Sequence, residues 1–163
     1  MALNWKTLIA IGLVAGLIQV AAGVAMYVAG VYFASWSMLV SLLVLLFCIV
    51  FGTRWYRDSV LNGQITYGQA VVVGIVISVC TGIVYAIYNV IAISFLYPRF
   101  LENVIDLTIA RLPESQRTPE LIGVLRQRIT ANTIALGNLI RLSLVGTLLS
   151  LFASLMLKRR PPG

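Results

Sequence analysis

Four long runs of apolar residues, at 7–30, 37–53, 67–97 and 131–157, restrict this chain more than any other feature of its sequence. The hydrocarbon core of a bilayer is about 30 Å thick and takes about 20 helical residues to cross, with about 17 as the lower limit. Each run meets that length, so the sequence predicts four transmembrane α-helices. The first run exceeds the apolar core of a cleaved signal peptide, about 7–15 residues, and is expected to stay.

Composition agrees with the runs. Hydrophobic residues make up 60% of the chain and charged residues 10%, against about 25% charged in ordinary soluble domains. The 163 residues are expected to form a single membrane domain. The net charge of +7 is scattered, apart from a short run at Lys158, Arg159 and Arg160 next to the last apolar segment. That placement suits a membrane-flanking anchor rather than a nucleic-acid surface. With no histidine, and with both cysteines, Cys48 and Cys80, inside apolar runs, no metal or cofactor is expected.

The joints between runs carry their own signals. Tyr32, Phe33 and Trp36 form an aromatic cluster of the kind found at headgroup level. After the second run, Arg54, Trp55, Tyr56, Arg57 and Asp58 mark an interface, with Trp55 and Tyr56 as headgroup anchors and Asp58 paired to Arg54 or Arg57. Asn62 and Gly63 supply a turn. Thr66 and Gln69 have capping-box spacing, which predicts the start of the third span. Pro98 should bend or end it.

Residues 99–130 hold most of the charge, and their apolar positions follow helical periodicity: Leu101, Val104, Ile105, Thr108 and Leu112, then Leu121, Ile122, Leu125 and Ile129. Between the two sets, residues 113–118 read as a turn, with Thr118 as the cap of a second helix and Pro119 as its first residue. The prediction is an amphipathic helical hairpin outside the membrane, between the third and fourth spans. The expected fold is thus an all-α integral membrane protein of four transmembrane helices with that hairpin. Basic residues in the flanks, Lys6, Arg54, Arg57 and the terminal run, place both termini in the cytoplasm.

Candidate functional residues fall into three sets. Gly12, Gly16, Gln19, Gly23 and Gly30 share a face of the first span and form a glycine stripe, which allows close backbone approach either within one chain or to another copy or subunit. Gly74, Ser78, Thr81, Gly82, Tyr85 and Asn89 share a face of the third span, expected to pack against that stripe. Tyr85, Tyr88 and Asn89 form a polar patch near its end. In the fourth span Ser143, Thr147, Ser150 and Ser154 line one side. Arg141 is the one charge inside an apolar run, expected about one turn deep and able to snorkel. Tyr85, Asn89 and Arg141 are the candidate polar cluster for a ligand, and Arg54, Arg57 and Asp58 the interface linker.

All five acids, Asp58, Glu102, Asp106, Glu114 and Glu120, lie outside the apolar runs. A proton relay through the bilayer needs ionisable groups there, and acid–base catalysis needs placed His, Asp or Glu. No GxSxG, P-loop or HExxH pattern occurs. The expectation is a protein that is not an enzyme and acts as an accessory or scaffold subunit, with membrane lipids and other membrane subunits or itself as partners. Transport of a small solute or lipid is the alternative, and an interfacial enzyme acting through Asp58 the third reading.

The stretch from Arg54 to Ala70, RWYRDSVLNGQITYGQA, resembles the linker between the second and third helices in a bacterial family, domain of unknown function 4199. The likeness extends in outline over nearly the whole chain: an apolar pair, the Tyr-Arg-Asp…Gly-x-Ile-Thr linker, a charged helical insert and a basic tail. It implies a four-helix topology and an inner-membrane setting. It transfers no activity, substrate or catalytic residue.

Overall fold

A computed structural model describes residues 3–34, 36–97 and 99–157. Among these residues the chain is all-α. Its elements are α1 (Trp5–Val28), α2 (Ser37–Val60), α3 (Tyr67–Ile91), a π-helical turn (Ala92–Leu96), α4 (Phe100–Ala110), a 3-10 turn (Glu114–Gln116), α5 (Pro119–Arg128) and α6 (Ala131–Leu157). Four helical stretches are long and apolar enough to cross a membrane: Trp5–Val28, Ser37–Val60, Tyr67–Leu96 and Ala131–Leu157. The expected anchors Lys158 to Arg160, and the expected break at Pro98, lie outside the described residues.

Helix ends follow local chemistry. Asn4 caps α1, its Oδ1 accepting from the Thr7 amide at 3.3 Å. At the other end Val31 N–H bonds to the Met26 carbonyl and Gly30 N–H to the Tyr27 carbonyl, with Gly30 at φ +72°. This is the Schellman arrangement, which satisfies orphan carbonyls through a left-handed residue and so favours glycine. Gly30 is therefore a turn residue with open space around it, not a member of the packing stripe.

The second span runs seven residues past the expected end at 53, to Val60. Hydropathy falls at Thr53, but the buried period does not: Leu45, Ile49, Thr53, Tyr56 and Arg57 continue one face of the helix. The helix stops only where Asn62 (φ 52°) and Gly63 (φ 81°) turn left-handed and Gly63 N–H takes the Arg57 carbonyl at 2.9 Å. Trp55 is 54% exposed, whereas Tyr56 is wholly buried and so is not a headgroup anchor. The Tyr56 hydroxyl accepts from the Asn4 amide at 2.7 Å and ties the start of α1 to the end of α2. Tyr56→Phe leaves that amide without its partner and should cost about 0.5–1.5 kcal/mol. A lower unfolding midpoint with faster amide exchange at Asn4 is the expected readout.

The capping box forms at the start of α3: Thr66 N–H donates to Gln69 Oε1 at 3.0 Å and Gln69 N–H to Thr66 Oγ1 at 3.3 Å. Thr118 caps α5 through the Leu121 amide at 3.3 Å, with Pro119 opening the helix. α3 gives way to a π turn over Ala92–Leu96, where the Tyr97 amide reaches back five residues to the Ala92 carbonyl at 2.8 Å.

The chain divides into two compact units, residues 1–85 with 139–163, and residues 86–138. In the first, α1 and α2 pack directly on each other, and Leu8, Leu45, Ile49, Ile77 and Leu142 are fully buried. In the second, α4 contacts α5. Of the stripe expected there only Ile105 is buried; Leu101, Val104, Leu121 and Leu125 are half-buried. Arg117 closes the end of α4 by donating to the carbonyls of Leu112 and Ala110, both at 3.1 Å.

Candidate functional site

The closest approaches between helices sit where the side chains are smallest. A Cβ added to Gly16 would lie 2.5 Å from the Cβ of Val84, one on Gly12 would overlap Cys80, and one on Gly23 would meet the Tyr85 hydroxyl at 3.0 Å. These three glycines of the α1 stripe are thus taken up by α3 of the same chain. Gln19, 1% exposed, turns instead to α2, donating to Ser41 Oγ at 2.6 Å and to the Ser41 carbonyl at 3.4 Å.

Of the α3 face expected against α1, Tyr85 does meet the stripe, at Gly23, but Gly74, Ser78 and Gly82 meet α6. Gly74 lies under Ser150 and Gly146 under Ser78, close enough that a Cβ on either glycine would overlap the opposing hydroxyl. Each serine also donates to the glycine carbonyl four residues back in its own helix, Ser78 to Gly74 at 2.7 Å and Ser150 to Gly146 at 2.6 Å. Two Gly-x-x-x-Ser segments running antiparallel therefore interlock reciprocally. The hydroxyls are spent locally, which lets serine act as a small residue at no unpaired-donor cost. Gly82 extends the seam against Leu139 and Ser143. α1 takes the neighbouring face of α3, at Cys80 and Val84, because α3 is packed on two sides.

Gly146 is not among the residues that the sequence pattern singles out. Its signal is present all the same: Gly146-x-x-x-Ser150 repeats the spacing of Gly74-x-x-x-Ser78.

The candidate polar cluster is divided between the units. Tyr85, 3% exposed, packs over Gly23 and lies 3.4 Å from the Tyr32 hydroxyl. Tyr32 in turn stacks edge-on with Tyr27 and Phe33. Asn89 is buried in the second unit. Arg141 belongs to the first and is half-buried, with its Nε enclosed and without a hydrogen-bond partner.

The interface linker forms a defined structure at the end of α2. Arg57, 5% exposed, grips both oxygens of Asp58, Nε to Oδ1 at 2.7 Å and one terminal nitrogen to Oδ2 at 3.1 Å. Its other terminal nitrogen donates to the Leu157 carbonyl at 3.4 Å, at the C-terminal end of α6, where the helix dipole favours a cation. Arg54 lies farther out, 4.0 Å from Asp58 Oδ2, with 64% of its side chain exposed.

Between α1 and α2 an apolar groove of about 430 Å³ runs from Thr7 to Ile18 on one side and from Phe47 to Trp55 on the other. It contains none of Tyr85, Asn89 and Arg141. A smaller polar pocket of about 260 Å³ in the second unit is lined by Glu102, Ile105, Asp106 and Arg126. No group of three or more His, Cys, Asp or Glu residues that could hold a metal occurs among the described residues.

The family model described as Protein of unknown function (DUF4199) matches residues 10–159 of the chain. The chain belongs to this family. The match runs from the first turns of α1 past Leu157, so the matched region takes in the residues of both the α3–α6 seam and the charged 86–138 unit. No curated protein and no solved structure matches.

Proposed function

We propose that this DUF4199 member is a multi-pass protein of the bacterial inner membrane, both termini cytoplasmic, which performs no catalysis and serves as an accessory or scaffold subunit of a membrane complex. The observation that supports this best is the second compact unit, 86–138. It carries Glu102, Asp106, Glu114, Glu120 and most of the arginines outside the flanks, and it leaves Leu107 and Val124 exposed. On this reading the part of it between the two spans, residues 97–130, is an extramembrane body offered to a partner. The glycine stripe of α1 is already filled by α3, so a partner would dock on this body or on the outer helix faces, where Leu43, Leu144 and Leu148 are exposed.

Purification of the natively expressed, tagged protein in mild detergent, with native mass spectrometry, tests the proposal. A stoichiometric larger assembly is expected, lost when Leu107 and Val124 are changed to Ser. A monomer or homo-oligomer with no other chain overturns the subunit role. The α1–α2 groove favours the lipid-handling alternative as the second reading.

A further inference from the structure

The α1–α2 groove is apolar along its length, and the residues that close one end, Thr7 and Trp55, are each preceded in the chain by a basic residue, Lys6 and Arg54. Its floor is made of small side chains, Ala15, Cys48 and Gly52, and its outer wall of Phe47 and Phe51, whose rings stack at 4.1 Å and are more than half exposed. From Thr7 to Ile18 it extends about 16 Å at 1.5 Å per helical residue. At the Thr7–Trp55 end, helical spacing brings two basic residues into line with it. Lys6 lies one turn before Ala10 on the same face of α1, and Arg54 lies two turns after Phe47 on the same face of α2. The bond between the Asn4 amide and Tyr56 holds these two helix ends at one level. One carboxylate is near, Asp58; it stands 4.0 Å from Arg54, but Arg57 engages both its oxygens, so two arginines share one acid and a net positive charge remains for another anion. Trp55, half exposed, lines this end of the groove.

We propose that this groove is a binding site for one anionic phospholipid, an acyl chain lying along Ala15, Cys48 and Gly52 and the headgroup phosphate between Lys6 and Arg54. The site rests on the membrane setting proposed above. The charge pattern selects the occupant: a helix from a second copy would fill the apolar length but leave the net positive charge of Lys6, Arg54 and Arg57 over Asp58 uncompensated.

The test uses the full-length protein in detergent, titrated with dioleoyl phosphatidylglycerol or dioleoyl phosphatidylcholine, which share chains and differ in headgroup charge. Retained lipid is read by native mass spectrometry. One phosphatidylglycerol should be held with about thirtyfold preference, from two basic residues each favouring an anionic headgroup about fivefold. The double variant Lys6→Gln with Arg54→Gln should lose the preference and keep weak binding of both lipids. Ala10→Phe, at an exposed rim position, should block both lipids while helical content and unfolding midpoint stay unchanged. Equal retention of the two lipids, a preference that survives the double variant, or a groove substitution that changes only oligomeric state would each overturn the site. Carbonate washing of cell membranes separates this from the underlying reading. A chain released by the wash refutes the membrane setting itself, whereas a retained chain without lipid preference refutes the lipid site alone.

Discussion

Gly146→Ala is expected to lower the unfolding midpoint of the detergent-solubilised protein, and Ser78→Gly in the same chain to recover most of the loss. On an unobstructed helix the change from glycine to alanine would stabilise by up to about 1 kcal/mol, so the sign of the effect is itself informative. Here the new methyl overlaps Cβ and Oγ of Ser78, and forcing extra volume into a closed seam costs about 1–3 kcal/mol. Shortening residue 78 to glycine removes the obstructing atoms. The double-mutant cycle should therefore show a coupling of at least about 1 kcal/mol, beyond the about 0.5 kcal/mol within which independent sites add. Thermal unfolding followed by circular dichroism provides the four values. Additive effects would mean that the two helices can separate at this level without cost. The symmetric pair, Gly74→Ala with Ser150→Gly, should behave alike, since Ser150 stands over Gly74 as Ser78 stands over Gly146.

The second large effect is expected at Arg57. Its guanidinium joins the neighbouring carboxylate of Asp58 to the last described carbonyl of α6, linking the ends of two helices a hundred residues apart. Arg57→Leu keeps the bulk and deletes every one of these bonds. Hydrogen bonds to charged groups contribute about 1.5–3 kcal/mol each. Asp58 is 48% exposed, so solvent screens its share, and the expected loss is about 2 kcal/mol, with local opening near Leu157 seen by hydrogen exchange. Arg57→Lys should recover only part of it, because an ammonium cannot span both carboxylate oxygens as the planar fork does. A lysine variant as stable as the parent would show that charge alone holds this corner. Asp58→Asn should be milder than Arg57→Leu, since the amide still accepts one bond and Arg57 keeps Leu157.

Much of this fold can be read in one dimension. The apolar runs specify four long helices because covering that much hydrocarbon surface leaves few other solutions, and α6 occupies 131–157 as predicted. Caps are equally legible, at Thr66 with Gln69 and at Thr118 with Pro119, because a cap is a contact between residues three apart. The sequence misleads where two local signals disagree. At 53–60 polarity ends the apolar run but helical burial continues, and the backbone follows burial until left-handed residues stop it. At Gly30 the stripe spacing and the terminal position compete, and the Schellman turn takes the glycine.

What only the tertiary structure decided is which small face meets which helix. Glycine and serine at four-residue spacing state that a backbone can come close; they do not state whose. α1, α3 and α6 all carry such faces, and choosing among their pairings depends on the shapes of both partners at once. The same holds for Tyr56 and Arg57, whose partners Asn4 and Leu157 lie 52 and 100 residues away. The sequence by itself determined helices, caps and the absence of carboxylates from the apolar runs, because these follow from solvent and near-neighbour chemistry. The interlocked seam, the buried Arg57 corner and the groove beside Lys6 and Arg54 exist only once the helices are packed, because each is built from residues that nothing local brings together.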